Sequence, residues 1–347
     1  MLWMTTTALL IVIATVYSIP AWRYAVLDPV MYATGLATPQ RGIDSHHIRF
    51  GMSAAFSGSA RELGRATRIG IEACFHEVNA KGGVHGRKLE LEPLDDAYEP
   101  QRAKANLAAL LDQQQGAFAL IGNLGTPTAR AMLPDLLKNH VLLFGPVSGA
   151  NLLRKDPPDR YVFNYRASYA EETAAIVHYF VGVLGMQPDN IAVFHQNDSY
   201  GRDGLAGVAN ALQRYNVAID AIQKASYRRN TAQVEQAVLK LRSHLHQLQG
   251  IVIIATYPAS AEFTRQVRMA GFRGRIANVS FVGSLSLAEQ LREVEGDIAN
   301  GVIVSQVVPM PDAYATGVLE YRAALERHFP GEPAGFGSLE GYIVARL

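Results

Sequence analysis

The chain has 347 residues, of which 49% are hydrophobic and 18% charged, and its formal net charge is +1. This length accommodates two compact globular domains. A near-neutral chain without a block of Lys and Arg is not expected to bind nucleic acid, because neutralising phosphates requires a concentrated basic surface. The single cysteine, Cys74, excludes an intrachain disulfide and a cysteine-based metal site, and we expect it to be a small buried side chain of the first helix.

The first 22 residues contain no charged side chain, and their centre at 8–16 is apolar. A segment of this length can cross a bilayer. Arg23 follows it directly, and no clear small-x-small cleavage site precedes that arginine. We therefore predict a signal anchor or a signal peptide over 1–23, with the uncleaved anchor favoured, and a linker over 24–46. The rest of the chain would then lie on the periplasmic face, attached to the inner membrane through this helix.

From Ile48 onward, short apolar runs alternate with patterns of helical period, which predicts an α/β architecture with parallel sheets covered by helices. Local signals support some helix borders, such as Pro100 at a first helical position. The predicted strands are Ile48–Phe56, Lys88–Leu94, Phe118–Ile121, Val141–Phe144, Tyr161–Tyr165, Ile191–His195, Ala218–Gln223, Ile251–Ala255, Ile276–Val279 and Val302–Val307. The predicted helices include Glu62–Ala80, Pro100–Gln114, Ala170–Leu184, Gly201–Tyr215, Thr231–Leu248, Ala259–Ala270 and Ala315–Phe329.

Near residues 166–169 the chain passes from one run of strand–helix units into the next without a Pro- or Gly-rich linker. This continuity favours two lobes that share hinge segments over two domains on a tether. We predict two Rossmann-like lobes with parallel sheets, joined by hinge crossovers and preceded by an N-terminal hydrophobic helix. The first lobe is predicted to comprise 47–167 and 307–347, and the second 168–306.

The loops that directly follow the predicted strands share an unusual composition, because they are small, rich in glycine and hydroxyl groups, and poor in charge. In parallel α/β sheets, ligands bind beyond the carboxyl ends of the strands. Each loop alone is an ordinary strand-to-helix turn, but six at the same relative position predict a site for a small polar molecule. The loops are Ser57–Ser59, Gly122–Thr128, Gly145–Gly149, Asn197–Tyr200, Thr256–Pro258 and Ser280–Gly283.

Motifs for catalysis, nucleotides and metals are incomplete in this sequence. Gly145–Gly149 lacks the G-x-S-x-G spacing of a nucleophile elbow, and Gly122–Gly125 lacks the full G-x-G-x-x-G pattern. Asp95-Asp96 favours a turn role, and His244 and His246 face different sides of a helix. We therefore expect a binding protein without a cofactor, a metal site or catalytic residues. A Rossmann-like, nucleotide-dependent enzyme that uses the same cleft is the alternative.

Eight segments distributed along the chain carry a resemblance to a known family. They are Ser53–Gly58, Gly70–Ala73, Val78–Arg87, Asp95-Asp96, Ile121-Gly122, Gly145-Pro146, Asn197–Gly201 and Glu340–Tyr342. From about His47 onward the chain resembles the type I periplasmic binding proteins of the leucine/isoleucine/valine-binding class. The resemblance implies an extracytoplasmic solute-binding protein that closes two lobes on a small polar ligand (an amino acid, an amide or a small carboxylate) and serves ABC-type amino-acid transport through a permease.

The resemblance also implies roles for individual residues. In that family, groups after the third and fourth strands hold the ligand's carboxylate, and tyrosines of the second lobe close over the ligand. The implied carboxylate-binding residues are Thr126, with Thr128 nearby, Val147, Ser148 and Gly149. The implied closing residues are Tyr200 and Tyr257, and Ser57 and Gly58 line the loop of the first lobe, where Leu63 replaces a more common aromatic residue.

One departure concerns the charge of the ligand. Where amino-acid binders of this class place a carboxylate for the ligand's ammonium, this sequence has Ser280. A buried ammonium without a counter-charge is costly. The ligand is therefore expected to be an amide, a carboxylate or another small polar molecule, unless Asp198, Glu171 or Glu172 supplies the missing charge.

Two further features leave alternatives open. Arg166 and Tyr169, at the predicted crossover, either bind an anionic ligand or form a hinge salt bridge. The sequence stops at Leu347 within a helical pattern, where relatives continue, so we expect more chain downstream. Together with the predicted anchor, this raises a second hypothesis, in which the chain is a membrane-anchored sensing domain that signals to a downstream module.

Overall fold

The computed structural model describes residues 40–113, 115–292 and 298–347. The predicted anchor or signal peptide at 1–23, and most of the predicted linker, lie outside these ranges. Within the described ranges, no helix combines the length and apolar character needed to span a membrane.

The first lobe is built on a five-stranded parallel sheet with the order β2-β1-β3-β4-β5. Its central strand β3 is entirely buried, as expected for a parallel sheet covered on both faces. Pairing places Ser53 of β1 opposite Leu94 of β2, so the two strands end at the same edge. The strands are β1 (His47–Ala54), β2 (Lys88–Asp95), β3 (Ala119–Ile121), β4 (Leu143–Phe144) and β5 (Val162–Phe163).

Five helices of the described residues cover this sheet, and the last two of them come from the end of the given sequence. They are α1 (Arg61–Ala80), α2 (Pro100–Leu110), α3 (Thr126–Lys138), α9 (Thr316–His328) and α10 (Phe336–Arg346). Helix α10 packs very closely on α1, because a Cβ on Gly70 would lie 1.9 Å from the Ser338 carbonyl oxygen and one on Gly341 would lie 2.1 Å from that of Thr67. Cys74 is buried in this contact as predicted, and burial raises its pKa to about 11.

The second lobe has its own five-stranded parallel sheet, in the order β10-β9-β8-β6-β7. Helix α4 opens this lobe with a capping box between Ser168 and Glu171, which fixes the direction in which the chain leaves the first lobe. The strands are β6 (Ile191–Gln196), β7 (Lys224–Tyr227), β8 (Gly250–Ile254), β9 (Arg275–Asn278) and β10 (Val302–Val304). The helices are α4 (Tyr169–His178), α5 (Ser199–Gln213), α6 (Glu235–Leu241), α7 (Tyr257–Met269) and α8 (Ser284–Arg292).

The predicted fold class is confirmed, but one strand prediction is wrong. The predicted strand Ala218–Gln223 is a turn in which Ile219 is half exposed, and the strand lies at Lys224–Tyr227 instead. Strand β7 is at the edge of its sheet and buries only alternate side chains, so its own sequence, Lys-Ala-Ser-Tyr, shows less apolar character than the isoleucine-containing segment before it. The predicted helix Thr231–Leu248 is also shorter, since α6 ends at Leu241.

Two crossovers, at 164–168 and 305–315, connect the lobes, and one hydrophobic cluster continues from the first lobe into the second. Tyr98 and Tyr200, which are fully buried, belong to this shared cluster. The lobes are therefore in contact, with the carboxyl ends of both sheets directed toward the space between them. The exact lobe boundaries given above stay a prediction.

Candidate functional site

Four aromatic side chains form the centre of the contact between the lobes. Tyr98 comes from the loop after β2, Tyr169 begins α4, Tyr200 is the second residue of α5, and Phe281 comes from the turn after β9. The ring centroids are 5.7 Å apart for Tyr98 and Phe281, 4.9 Å for Tyr200 and Phe281, and 5.1 Å for Tyr169 and Tyr200. All four side chains are buried. We call these four residues the aromatic cluster.

A pair of hydroxyl groups from the first lobe lies beside the aromatic cluster. The Oγ1 atom of Thr126 and the Oγ atom of Ser148 are 2.7 Å apart, and both residues are fully buried. The Thr126 hydroxyl also lies 3.5 Å from the Tyr169 phenol. Thr126 is the first residue of α3, where free backbone N–H groups and the helix dipole favour a negative charge. The pair is therefore suited to hold a carboxylate or a carbonyl oxygen.

The backbone around Ser148 is fixed by contacts that only a small residue allows. The Gly149 carbonyl accepts a hydrogen bond of 2.8 Å from the Tyr169 N–H, and a Cβ on Gly149 would lie 2.6 Å from that nitrogen. The Val147 N–H donates to the Asn123 carbonyl at 2.8 Å. These bonds hold the loop after β4 against both the loop that precedes α3 and the start of α4.

A buried charged network joins the two crossovers, and we call it the hinge network. The Arg166 Nη2 atom donates to the Ser280 hydroxyl at 2.5 Å, and its Nε atom lies 3.3 Å from Glu340. The Glu172 Oε2 atom accepts from the Ser280 N–H at 2.8 Å and from the Ser305 hydroxyl at 2.7 Å. Arg166 thus forms the predicted hinge salt bridge and also reaches Ser280 at the edge of the aromatic cluster.

Burial governs the electrostatics of the hinge network. Burial alone lowers the pKa of Arg166, but the carboxylates of Glu340 and Glu172 outweigh it, so that the pKa is raised. Burial raises the pKa of Glu340, and the Arg166 charge opposes that rise. The guanidinium is therefore held firmly in its charged form.

A second set of polar contacts connects the lobes at the opposite end of the cleft, and we call it the mouth contact. The Asn230 side-chain NH₂ donates to the Ala97 carbonyl at 3.0 Å and to Glu99 at 2.6 Å, and its oxygen accepts from the Ser59 hydroxyl at 2.7 Å. Arg229 forms a 2.7 Å ion pair with Glu99. These residues are all partly or fully exposed to solvent.

Comparison with known proteins identifies the family. A family model described as "Periplasmic binding protein" matches residues 47–347. The chain belongs to the periplasmic binding protein family. As a member it is a solute-binding protein, and the predicted resemblance is confirmed.

Individual relatives agree with this assignment. A solved structure from Rhodopirellula baltica, described as a possible leucine/isoleucine/valine-binding protein, is 41% identical with a TM-score of 0.81, covering 89% of this chain and 81% of that one. A substrate-binding periplasmic protein from Ralstonia solanacearum is 27% identical with a TM-score of 0.77, covering 86% and 82%. The Leu/Ile/Val-binding protein of Escherichia coli K12 is 22% identical over 262 residues, which are 75% of this chain and 67% of that protein. These relatives are named as binding proteins, not as enzymes.

The two predicted closing tyrosines of this binding protein occupy different environments. Tyr200 lies in the aromatic cluster, its phenol is 3.4 Å from the Ala255 carbonyl, and burial raises its pKa well above the ordinary value. Tyr257 begins α7 and packs with Val282 and Leu287 at the side of the cleft. Burial also raises the pKa of Tyr257, and the nearby charge of Arg61 in the first lobe opposes that rise. Tyr257 is thus close to the first lobe without belonging to the aromatic cluster.

Two predicted ligand hydroxyls are engaged within their own lobe. The Thr128 hydroxyl donates to the Leu124 carbonyl at 2.5 Å and to that of Gly125 at 2.9 Å, so it faces its own helix terminus. The Ser57 hydroxyl donates to Asp95 at 2.7 Å. Gly58, which follows it, has a φ of +77° that favours glycine.

Asp95 and Asp96 both serve the turn that follows β2. Asp95 accepts from the N–H groups of Phe56 and Ala97, each at 2.9 Å. Burial raises its pKa, but hydrogen bonds to the charged form, led by that of Ser57, outweigh this and leave it at about 2. Asp96 accepts from the Tyr98 N–H at 2.8 Å, and burial raises its pKa to about 6. The turn that results directs the Tyr98 ring between the lobes.

Sequence reasoning missed Tyr98, Phe281 and the mouth contact. Phe281 directly follows the predicted Ser280, and Tyr98 follows the end of β2 by three residues. Their position after strand ends was therefore a usable signal. The mouth contact had no such signal, because Asn230 and Ser59 are 171 positions apart. In the described part of the chain, no group of three or more His, Cys, Asp or Glu side chains is arranged to hold a metal ion.

Proposed function

We propose that this binding protein captures a small amino acid, amide or carboxylate between its lobes and delivers it to an ABC-type permease. The observation that carries the proposal is the buried pair of hydroxyls, Thr126 and Ser148, at the start of a helix and beside the aromatic cluster. The hydroxyls and the helix dipole favour a ligand with a negatively charged oxygen, and the aromatic rings favour a ligand whose remaining part is apolar or flat. The names of the relatives support branched-chain amino acids as the first candidates.

Capture follows from the way the site is divided between the lobes. The hydroxyl pair belongs to the first lobe, whereas Tyr200 and Phe281 belong to the second. A ligand that touches both walls does so only when the lobes are closed, and it shifts the open–closed equilibrium by its preference for the closed form. A permease then recognises the closed form.

The remaining predicted residues form the walls of the proposed site. Val147 and Gly149 offer backbone around the hydroxyl pair, Tyr257 lies at the side of the cleft, and Ser57, Gly58 and Thr128 shape the loops that face it. We further propose that residues 1–23 direct the protein to the periplasmic side, as an anchor in the inner membrane or as a signal peptide, and that the protein has no catalytic activity.

The hydroxyl pair is tested by Thr126→Val, which keeps the shape of the side chain and removes its hydroxyl. Calorimetric titration of the full chain in mild detergent with L-leucine, L-isoleucine and L-valine should show affinity reduced at least about tenfold, because a buried charged ligand group loses a hydrogen bond. Thr128→Val is the matched control, since the Thr128 hydroxyl already donates to carbonyl groups of the two residues that precede its own helix. Equal losses in both variants would contradict the assignment.

The aromatic wall is tested by Tyr200→Ala and Tyr257→Ala. Each should weaken binding by about 1–3 kcal/mol, as expected for aromatic anchors at an interface, while the protein remains folded. Tyr200→Ala should have the larger effect because Tyr200 belongs to the aromatic cluster. Circular dichroism checks the fold, and unchanged calorimetric affinity in both variants would remove the second-lobe wall from the site.

A further inference from the structure

The hinge network contains three buried polar atoms without a hydrogen-bond partner among the described residues, namely the Nε and Nη1 atoms of Arg166 and the Oε1 atom of Glu172. The Nε atom lies 3.3 Å from Glu340 in an ion pair, which leaves Nη1 of Arg166 and Oε1 of Glu172 as the two atoms that need partners. Arg166 and Glu172 are each 4% exposed. Leaving a buried charged atom unsatisfied is costly. One atom is a donor and the other an acceptor, and both residues already hold Ser280 through their other atoms.

The hydrogen-bond partners of Glu172 are neutral, since they are the Ser280 N–H and the Ser305 hydroxyl. Arg166 pairs with Glu340 at 3.3 Å. The charge of Arg154 also acts on Glu172, but the Arg154 guanidinium donates its hydrogen bonds to backbone carbonyls, including that of Arg166 at 2.7 Å. A cationic group beside Oε1 would balance the Glu172 carboxylate.

The other two carboxylates considered from the sequence are already occupied. Asp198 caps α5 by accepting from the Tyr200 N–H at 3.0 Å, and its second oxygen accepts from Gln196 at 2.6 Å. Glu171 accepts from both the N–H and the hydroxyl of Ser168 at 2.7 Å in the capping box. Glu172 combines burial with a free oxygen.

The position of Glu172 directs it toward the proposed ligand. It lies one helical turn after Tyr169 on α4, so the two side chains project from neighbouring points of the helix. Tyr169 in turn contacts both Tyr200 and the hydroxyl of Thr126. The hinge network therefore lies at one side of the same site whose other side is the hydroxyl pair.

We infer that Glu172 binds a cationic nitrogen of the ligand, and that the ligand is accordingly an amino acid with a free ammonium group. This inference rests on the proposed function. The ammonium donates to Oε1 of Glu172, and the ligand's carboxylate accepts from the hydroxyl pair and from Nη1 of Arg166. The carboxylate absent at position 280 is thus supplied from α4. A ligand with a carboxylate but no amino group would satisfy Arg166 and leave Glu172 without a partner.

The first arm of the test needs no variant. The full chain is titrated with alanine, valine, leucine, isoleucine and phenylalanine, each against the carboxylic acid that lacks its amino group and against that acid's primary amide. At least one amino acid should bind about tenfold or more tightly than both of its analogues, since only the ammonium brings a charge to the buried carboxylate. If the analogues bind equally well, the inference is overturned while capture by the cleft stands.

The second arm uses Glu172→Gln, which keeps the shape and an oxygen for Ser280. We expect the affinity for the amino acid to fall at least about tenfold, while the affinity for the analogue without the amino group stays the same or rises. Glu171→Gln is the matched control and should leave the preference intact. Unchanged preference in Glu172→Gln overturns the inference, and a melting temperature no lower than that of the wild type shows that the fold is retained.

A different result of the same titrations would contradict the proposed function itself. In that case no compound of the panel would release heat or raise the melting temperature of the wild-type protein. Both the ligand class and the role of Glu172 would then be rejected.

Discussion

The two ends of the cleft join the lobes with the same kinds of side chain but in opposite environments. In the hinge network, the side chains of Arg166 and Glu340 are 2% and 5% exposed. In the mouth contact, those of Arg229 and Glu99 are 24% and 42% exposed. Buried charges lose their hydration and depend on their partners, whereas exposed pairs are screened by water and salt and contribute little.

Because of this difference in burial, the hinge network and the mouth contact have different roles when the lobes move. The hinge network ties the first crossover to both lobes, through Glu340 and Ser280, and ties the second crossover to Glu172 of the second lobe. These contacts must persist while the lobes move. The mouth contact joins segments that separate when the cleft opens, and a weak contact there allows reversible opening. Burial, more than the presence of a salt bridge, therefore distinguishes the permanent connection from the reversible one.

The largest expected effect comes from removing an arginine at each end. Arg166→Met leaves the Glu340 carboxylate buried without its ion-pair partner, and we expect the free energy of unfolding to fall by about 3–5 kcal/mol. Arg229→Met should lower it by less than about 1 kcal/mol. Urea denaturation of both variants measures the difference. Equal losses would show that the hinge and the mouth are energetically alike.

The second largest effect is a pH dependence of the free energy of unfolding that comes from Asp96, a buried carboxyl near the mouth next to the partly exposed Asp95. The pKa of Asp96 is raised to about 6, so the proton it holds in the folded state contributes stability below about pH 4, and this contribution is lost as the pH rises through about 6. Between pH 4 and 7, the free energy of unfolding should therefore fall by about 2–3 kcal/mol relative to Asp96→Asn.

The effect of Asp95 on the pH dependence of the free energy of unfolding should have the opposite sign. Its pKa is lowered to about 2, so its contribution is present above about pH 4 and is lost as the pH falls through about 2. Urea denaturation from pH 2 to 7 separates the two residues. An Asp96→Asn variant with the same pH dependence as the wild type between pH 4 and 7 would contradict the burial argument.

The smallest effect is expected from Asn230→Gly, which removes the hydrogen bonds of the Asn230 side chain across the mouth. Glycine tolerates the left-handed backbone of this residue, where φ is +57°. We expect apparent ligand affinity to fall about threefold to tenfold, because the closed form becomes less populated, with little change in stability. Asn216→Gly is the matched control, since Asn216 is exposed with a φ of +64°. Calorimetry and small-angle scattering compare affinity and closure, and a similar loss in both variants would rule out a role of the mouth contact in closure.

Much of the fold could be predicted from the alternation of strand and helix patterns, because those patterns are local. Nine of the ten predicted strands overlap observed ones, and the exception is Ala218–Gln223, which was predicted in place of the edge strand Lys224–Tyr227. Thr126 and Ser148 could also be found, since they lie in the segments that follow β3 and β4 of one parallel sheet and so lie at the same edge. Thr128 and Ser57 met the same criterion, yet their hydroxyls donate within their own lobe. Strand-end position predicts that a residue is near the site but not where its side chain points.

The sequence by itself therefore determined the α/β class, the two-lobed organisation and the edge of each sheet where the site lies, because these follow from short-range periodicity and from where strands end. Only the tertiary structure decided which polar atoms are satisfied. Arg166 meets Ser280 across 114 positions and Glu172 meets Ser305 across 133, so no local pattern records these contacts. Those distant partners determine which charged atoms of Arg166 and Glu172 remain free to bind the ligand, since burial makes each unpaired atom costly.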